Sequence, residues 1–367
     1  MKFICERDTI MKEISIAGEI ISSRNSLSIL SNVFMEAVDN TLVLKATDLK
    51  VGFETRIPVE VSTPGSTTVF CDKFLSILRS LPSGEIEFEQ TEGHTFVIRP
   101  VFKKIDFQLK SIDSDKFPEI QLAAEEAFFE VSQKDFIEMI TQTIFAVSDD
   151  ETRYFMNGVY MENADGDLVM VATDGRRLSY IRKTPEKPIK EFDGVIIPPK
   201  VLTMIRKLAS GEGMFALAVT EKNIFVTFDN QKISSALIEG QFPNYQRVIP
   251  EEQTHEVLVQ RDELTEALKR VSLLVEKSRR IYISLGEGNM VLDSEESEIG
   301  VAKEELSCQY SGPEIKLALN YLYLSEPLKV IDSEQVSLQF TEANRAITLY
   351  SVPQGEYFHI VMPMQLD

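Results

Sequence analysis

Two stretches hold the residues best suited to chemistry. In Val171-Ala172-Thr173-Asp174-Gly175-Arg176-Arg177-Leu178 an apolar run ends in a Thr-Asp pair followed by two adjacent arginines, and Leu44-Lys45-Ala46-Thr47-Asp48-Leu49 repeats its first half. Such a carboxylate could be catalytic, could satisfy the backbone of its own turn, or could belong to a binding surface. Aspartic proteases pair two carboxylates that share a proton, but their order is Asp-Thr-Gly. Here the order at 173–175 is Thr-Asp-Gly, and Asp48 precedes Leu49, so neither copy matches and a turn role is favoured for both. His94, His255 and His359 have no companion spacing for a metal or a nucleophile. Cys5, Cys71 and Cys308 read as small apolar residues in a reducing compartment. With no glycine-rich phosphate loop either, the residues imply no cofactor and no enzymatic centre.

The elements that position these residues belong to a large chain. Its 367 residues suit two or three domains, and 43% hydrophobic with 26% charged residues describes a globular protein. There is no apolar run of membrane-spanning length. The charged start, Lys2 through Asp8, predicts a chain that is not exported and is therefore cytoplasmic. A net charge of −20 argues against a protein that coats nucleic acid. Charge is nevertheless segregated: within the most acidic third, Lys269, Arg270, Lys277, Arg279 and Arg280 crowd together.

One unit recurs three times. Asp8, Asp135 and Asp262 are evenly spaced, and each follows a short alternating strand and precedes an amphipathic run. The runs are Ile10, Ile14, Ala17, Ile21, then Phe136, Ile140, Ile144, Val147, then Leu264, Leu268, Val271, Val275. This spacing marks one face of a helix, with each aspartate expected at the N-cap and Glu138 completing a capping box with Asp135. A second strand-to-helix passage places Lys73 and Lys200 at equivalent points, and its third version carries Pro327, which predicts a shortened or kinked helix. Turn signals at Asp165-Gly166-Asp167, Glu287-Gly288-Asn289 and Pro82-Ser83-Gly84 read as hairpins. The expected fold is α+β, with three repeated domains at 1–122, 123–250 and 251–367, each with two helices and antiparallel sheets. Similar domains in a row make head-to-tail contacts that form an open helix or close into a ring.

These repeats, together with Ala172 to Leu178, Gly240-Gln241-Phe242-Pro243-Asn244-Tyr245-Gln246-Arg247-Val248-Ile249-Pro250, Tyr310-Ser311-Gly312 and the ending Ile360 to Leu366, resemble the bacterial DNA polymerase III beta subunit, the sliding-clamp family, from Met1 to Asp367. The resemblance implies a non-catalytic, cofactor-free processivity factor. It implies a head-to-tail homodimer whose two three-domain chains form a pseudo-sixfold ring around duplex DNA. Polymerase, clamp loader and other DNA-processing partners would attach through short linear peptides. The composition suits this: an acidic exterior avoids DNA, and basic inner helices make loose, screened phosphate contacts.

Carried over residue by residue, the resemblance implies a peptide cleft built from Met156, Thr173, Gly175, Arg176, Arg177, Leu178, Pro243, Arg247, Val248, Asn344, Ala346, Val361, Met362, Pro363, Met364 and Leu366. Adaptable methionines, rigid proline and arginine anchors suit an extended peptide; the bland alternative is a terminal strand whose apolar residues are core. Arg176 stands where the family often has histidine, Gln365 where it often has arginine, and Asp367 extends the usual leucine end. DNA contact is implied for Arg24, Tyr154, Phe155 and Lys200, although Asp149-Asp150-Glu151 predicts a loop that repels phosphate. At the dimer interface, Phe107 and Leu109 on an edge strand would meet Leu273 and Leu274, with Lys103 and Lys104 opposite Glu304 and Glu305. A protein-assembly scaffold that never encircles DNA is the alternative from another class.

Overall fold

The computed structural model describes residues 1–21, 28–121 and 123–366. Its α-helices are α1 (Arg7–Ile20), α2 (Cys71–Ser80), α3 (Gln133–Thr143), α4 (Pro199–Leu208), α5 (Arg261–Val271) and α6 (Tyr321–Leu328), each entered from a strand. They pack pairwise, α1 on α2, α3 on α4 and α5 on α6. The apolar spacing expected of the first helix in each pair is present, with small shifts. Buried positions are Ile10, Ile14, Ala17 and Ile20 in α1, Phe136, Met139 and Ile140 in α3, and Leu264, Ala267, Leu268 and Val271 in α5. Each large aliphatic side chain so buried contributes roughly 1.5–3 kcal/mol.

The expected caps need correction. Asp8, Asp135 and Asp262 lie inside the first helical turn, and the N-cap residues are Glu6, Ser132 and Gln260. Each strand runs into its helix with no intervening loop, so the helix begins before the aspartate. The carboxylate then meets the positive end of the helix dipole rather than accepting from the cap position. In α3 the Ser132 hydroxyl accepts from the Asp135 amide at 3.4 Å, and Glu138 pairs instead with Lys183 at 2.8 Å. The expected shortening of α6 is present. It has eight residues against ten in α2 and α4, contains Pro327, and begins with Asn320 accepting from the Leu322 amide at 3.1 Å.

The chain divides into two compact units, one comprising Met1–Glu130 with Met214–Ala236, the other Val131–Gly213 with Leu237–Asp367. In the first unit Thr41–Thr47 and Val51–Pro58 form a hairpin, and Gln231–Ala236 pairs antiparallel with Val51–Pro58. In the second unit an eight-stranded sheet has the order Val195–Ile197, Val159–Ala164, Asp167–Thr173, Arg177–Lys183, Tyr357–Val361, Ile347–Val352, Gln335–Phe340, His255–Gln260. A separate four-stranded sheet orders Lys303–Ser307, Asn289–Ser294, Arg280–Gly286 and Ile315–Asn320. Of the expected hairpin turns, 165–167 and 287–289 close hairpins, whereas Pro82 to Gly84 joins α2 to the next strand. Among the described residues no helix is long and apolar enough to cross a membrane. The three thiols are free, and burial pushes Cys5 up to about 11 and Cys71 up to about 12, which leaves them unreactive.

Candidate functional site

The site grows from the hairpin between Asp167–Thr173 and Arg177–Lys183. The Thr173 hydroxyl donates to the Arg177 carbonyl at 2.6 Å and accepts from the Gly175 amide at 3.1 Å. Asp174 Oδ1 accepts from the amides of Arg176 and Arg177 at 2.9 and 3.1 Å. Gly175 has φ +86°, a left-handed conformation that glycine adopts without strain. The Asp174 carboxylate is therefore committed to its turn, as expected from the order of its neighbours.

Arg177 behaves differently from a rim anchor. Its side chain is only 9% exposed. Nε donates to Asp174 Oδ2 at 3.0 Å, Nη2 donates to the Phe145 carbonyl at 2.7 Å, and Nη1 pairs with Glu326. The guanidinium also lies over the rings of Tyr323 at 4.7 Å and Phe145 at 5.7 Å. Each neighbour satisfies a different part of the planar fork, a match that lysine could not make. Beside it, His359 is fully buried and contacts the Ser179 hydroxyl at 2.6 Å through Nδ1. Burial first, and then the Arg177 charge, lower its pKa to about 3, so His359 is a neutral core residue.

Above this base lies a cavity of about 220 Å³. Its walls include Met156, Thr173, Gly175, Arg176, Arg177, Leu178, Pro243, Val248 and Met362, all anticipated, together with Asn244, Tyr245 and Ile360, which were not. Val361 is a correction in parity: it is 1% exposed and outside the cavity wall, and its neighbour Ile360 contributes to the wall instead. Successive strand side chains point to opposite faces, so an offset of one residue exchanges core for cleft. Ala346 packs against the apolar cluster that contains Leu178, Tyr245 and Ile360. Arg247 and Asn344 are exposed, and Pro363, Met364 and Leu366 continue the chain beyond Met362, none of them in the cavity wall. The tail is tied down by Met362 N donating to Arg176 O at 2.8 Å and Met364 N to Ala318 O at 2.7 Å.

Met156 and Tyr154 come from the 3₁₀ turn Glu151–Met156, and its start explains the acidic loop. Asp150 accepts from the Thr152 hydroxyl at 2.6 Å, the Thr152 amide at 3.0 Å and Arg153 Nε at 2.9 Å. These donors, Thr152 foremost, hold its pKa below the usual aspartate value. Asp150 is thus a cap whose charge is answered within the loop, whereas Asp149 and Glu151 are exposed. Tyr154 points outward, 53% exposed, whereas Phe155 packs against the apolar cluster beneath the cleft. Lys200 is exposed in the first turn of α4. Arg24 lies outside the described residues.

The strand Phe107–Ile112 pairs with Thr95–Pro100 through residues 107–110 and with Gly65–Phe70 through 111–112. It is an edge only along one flank of 107–110, where no other described strand pairs with it. Leu273 is 80% exposed and Leu274 is half-buried, its Cδ1 lying 3.7 Å from the point a Cβ at Gly300 would occupy. Within the chain, Glu304 pairs with Arg270, Nε–Oε2 at 3.0 Å and Nη2–Oε1 at 2.5 Å.

Three family models match the chain: the N-terminal domain of the DNA polymerase III beta subunit at residues 1–121, the central domain at 130–244 and the C-terminal domain at 246–365. The beta sliding clamp of Treponema pallidum is 46% identical over 372 residues, and that of Escherichia coli is 29% identical over 369, with complete coverage of both chains in each case. A Pseudomonas aeruginosa sliding clamp bound to griselimycin superposes with a TM-score of 0.95 at 28% identity, and the Bacillus subtilis clamp with 0.95 at 26%, again over complete chains. A C. crescentus clamp structure carries polyethylene glycol at a region associated with β-motif tethering. On this agreement of sequence, domain order and fold, the chain belongs to the DNA polymerase III beta-subunit family, the beta sliding clamps.

Proposed function

We propose that this clamp captures partner proteins in the cavity beside Asp174 and keeps them on duplex DNA by encircling it, without catalysing a reaction itself. The observation that carries the reading is the cavity: residues from 156, 173–178, 243–248 and 360–362 converge on one apolar recess with exposed Arg176 and Arg247 at or beside it. A recess with apolar walls and a few polar anchors suits an extended peptide. Polymerase, clamp loader and other DNA-processing proteins are the partners so read, and the cytoplasm is the compartment. Griselimycin, bound by the P. aeruginosa and Bartonella birtlesii clamps, is a candidate small-molecule ligand.

Two open edges support a reading in which two chains close into a ring. The free flank of residues 107–110 and the strand Lys303–Ser307, at the edge of its sheet, are complementary elements for head-to-tail pairing of two chains. Exposed Leu273 adds apolar surface, and Glu305 is the carboxylate open to Lys103 or Lys104. The repeats support domain boundaries near 122 and 250, and Tyr154, Lys200 and Arg24 are the DNA-facing candidates. Loaded onto closed circular DNA, the clamp should be retained and should run off once the circle is cut. Equal retention on linear and circular DNA would contradict encirclement. Sedimentation should give a dimer, weakened by Leu273→Ala.

A further inference from the structure

The cleft has a rear support that its wall residues do not reveal. Glu162, on the strand Val159–Ala164, accepts two phenols at once: Tyr245 Oη donates to Oε1 at 2.6 Å and Tyr160 Oη to Oε2 at 3.0 Å. Tyr160 and Glu162 share a face of that strand, two residues apart. Tyr245 is a cleft-wall residue and opens the 3₁₀ turn Tyr245–Val248, which also carries Arg247 and Val248. The Tyr160 ring stacks on Phe242 with centroids 4.8 Å apart and planes at 9°, and Phe242 directly precedes Pro243 of the wall. One carboxylate therefore grips both ends of the segment 242–245, directly through Tyr245 and through the Tyr160–Phe242 stack.

Two further observations show that the grip is built in. A Cβ at Gly194 would fall 1.9 Å from the Tyr160 hydroxyl, so only glycine leaves room for the ring at this place. Burial, reinforced by the Glu162 carboxylate, raises the pKa of both phenols, which keeps them protonated and donating. Charge-assisted hydrogen bonds of this kind are about twice as strong as neutral ones and restrict geometry more tightly.

We propose that Glu162 is a positioning residue for partner capture, holding the 242–248 wall of the cleft in its peptide-ready form through Tyr245 and Tyr160. The proposal rests on the peptide-cleft reading. The probe is the tightest binder from overlapping peptides that span the replicative polymerase of the same organism, measured on the full-length clamp. Tyr245→Phe, which removes one oxygen and keeps the ring, should weaken that peptide by on the order of tenfold. Glu162→Ala should do the same, and Glu162→Gln, which retains an acceptor, should recover most of the loss. In the Tyr245→Phe background, Glu162→Ala should add less than it does alone, because its bond to Tyr245 is already lost and only the one to Tyr160 remains. The sedimentation behaviour of the clamp, which does not depend on this wall, should stay unchanged. Wild-type affinity in both Tyr245→Phe and Glu162→Ala, or fully additive losses in the double variant, would overturn the role of Glu162 and leave the cleft reading standing. Absence of any binding peptide for the unaltered clamp would overturn the cleft reading and this one with it.

Discussion

The hairpin turns at 47–51 and 173–177 are built alike and do different work. In each, the threonine hydroxyl donates to the carbonyl four residues on, at 2.8 Å from Thr47 and 2.6 Å from Thr173. Each aspartate Oδ1 accepts two amides, at 2.9 and 2.7 Å for Asp48 and at 2.9 and 3.1 Å for Asp174. The middle residue is left-handed in both, Leu49 with φ +75° and Gly175 with φ +86°. What differs is the cargo. The first turn ends in buried Val51, a sheet residue, whereas the second ends in Arg177, which ties Asp174, the Phe145 carbonyl and Glu326 together under a cleft. A repeated turn thus ends in a sheet residue in one copy and lines a cavity, the proposed peptide cleft, in another, and the carboxylate common to both is not what separates them.

The sharpest way to break this comparison is Arg177→Met. It leaves Glu326 and Asp174 without their shared cation in a largely buried place, and should cost about 3 kcal/mol with loss of peptide capture. Val51→Ala should lower stability and leave peptide affinity intact; thermal unfolding and fluorescence anisotropy read the two effects. Next in size, Asp174→Ala should cost about 2 kcal/mol and weaken peptide binding, since it releases two turn amides and Arg177 together, whereas Asp48→Ala should leave peptide binding intact. Equal effects of the two on peptide affinity would erase the distinction.

The middle residues should respond with opposite signs. A Cβ at Gly175 would sit 2.8 Å from Arg153 Nη1 in a left-handed backbone, so Gly175→Ala should destabilise by about 1 kcal/mol and displace the Arg153 side chain. Leu49 is 63% exposed and left-handed, so Leu49→Gly should leave stability level or raise it by a few tenths of a kcal/mol.

The smallest contrast is in pH. The folded pKa of His359 lies below its ordinary value, so its contribution is present above pH 6.5 and is lost as the unfolded chain takes up protons below it. The second unit should weaken by about 0.7 kcal/mol between pH 7 and 6 and more steeply below. Glu13, buried in the first unit with its pKa raised by burial, has the opposite sign: its contribution is present at low pH and is lost as pH rises through the raised value. Hydrogen exchange across the two units should show acid favouring the first relative to the second, and His359→Phe should remove the trend from the second.

How far the sequence reaches depends on how local the physics is. The turns were legible because Thr173 and Asp174 satisfy amides within four residues. The helices were legible from apolar spacing, though their start was misjudged because a strand running straight into a helix puts the aspartate inside the first turn. Arg177 was legible as a site residue but not as a buried strut, since its partner Glu326 lies 149 residues away and nothing in the local spacing announces it. Ile360 was missed for Val361 because the strand's parity is set by its pairing of Leu178 with Ile360, which sequence alone does not display. Glu162 was invisible for the same reason as Glu326: its phenol partner Tyr245 is 83 residues distant. The pair of Glu304 with Arg270, 34 residues earlier, is likewise not announced by any local spacing.

The most direct test of the account is hydrogen exchange on the full-length clamp with and without the bound polymerase peptide. Added protection is expected at residues 173–178, 243–248 and 360–364 and none at 47–51. Protection at 47–51 equal to that at 173–178, or peptide binding with no change at 173–178, would contradict it.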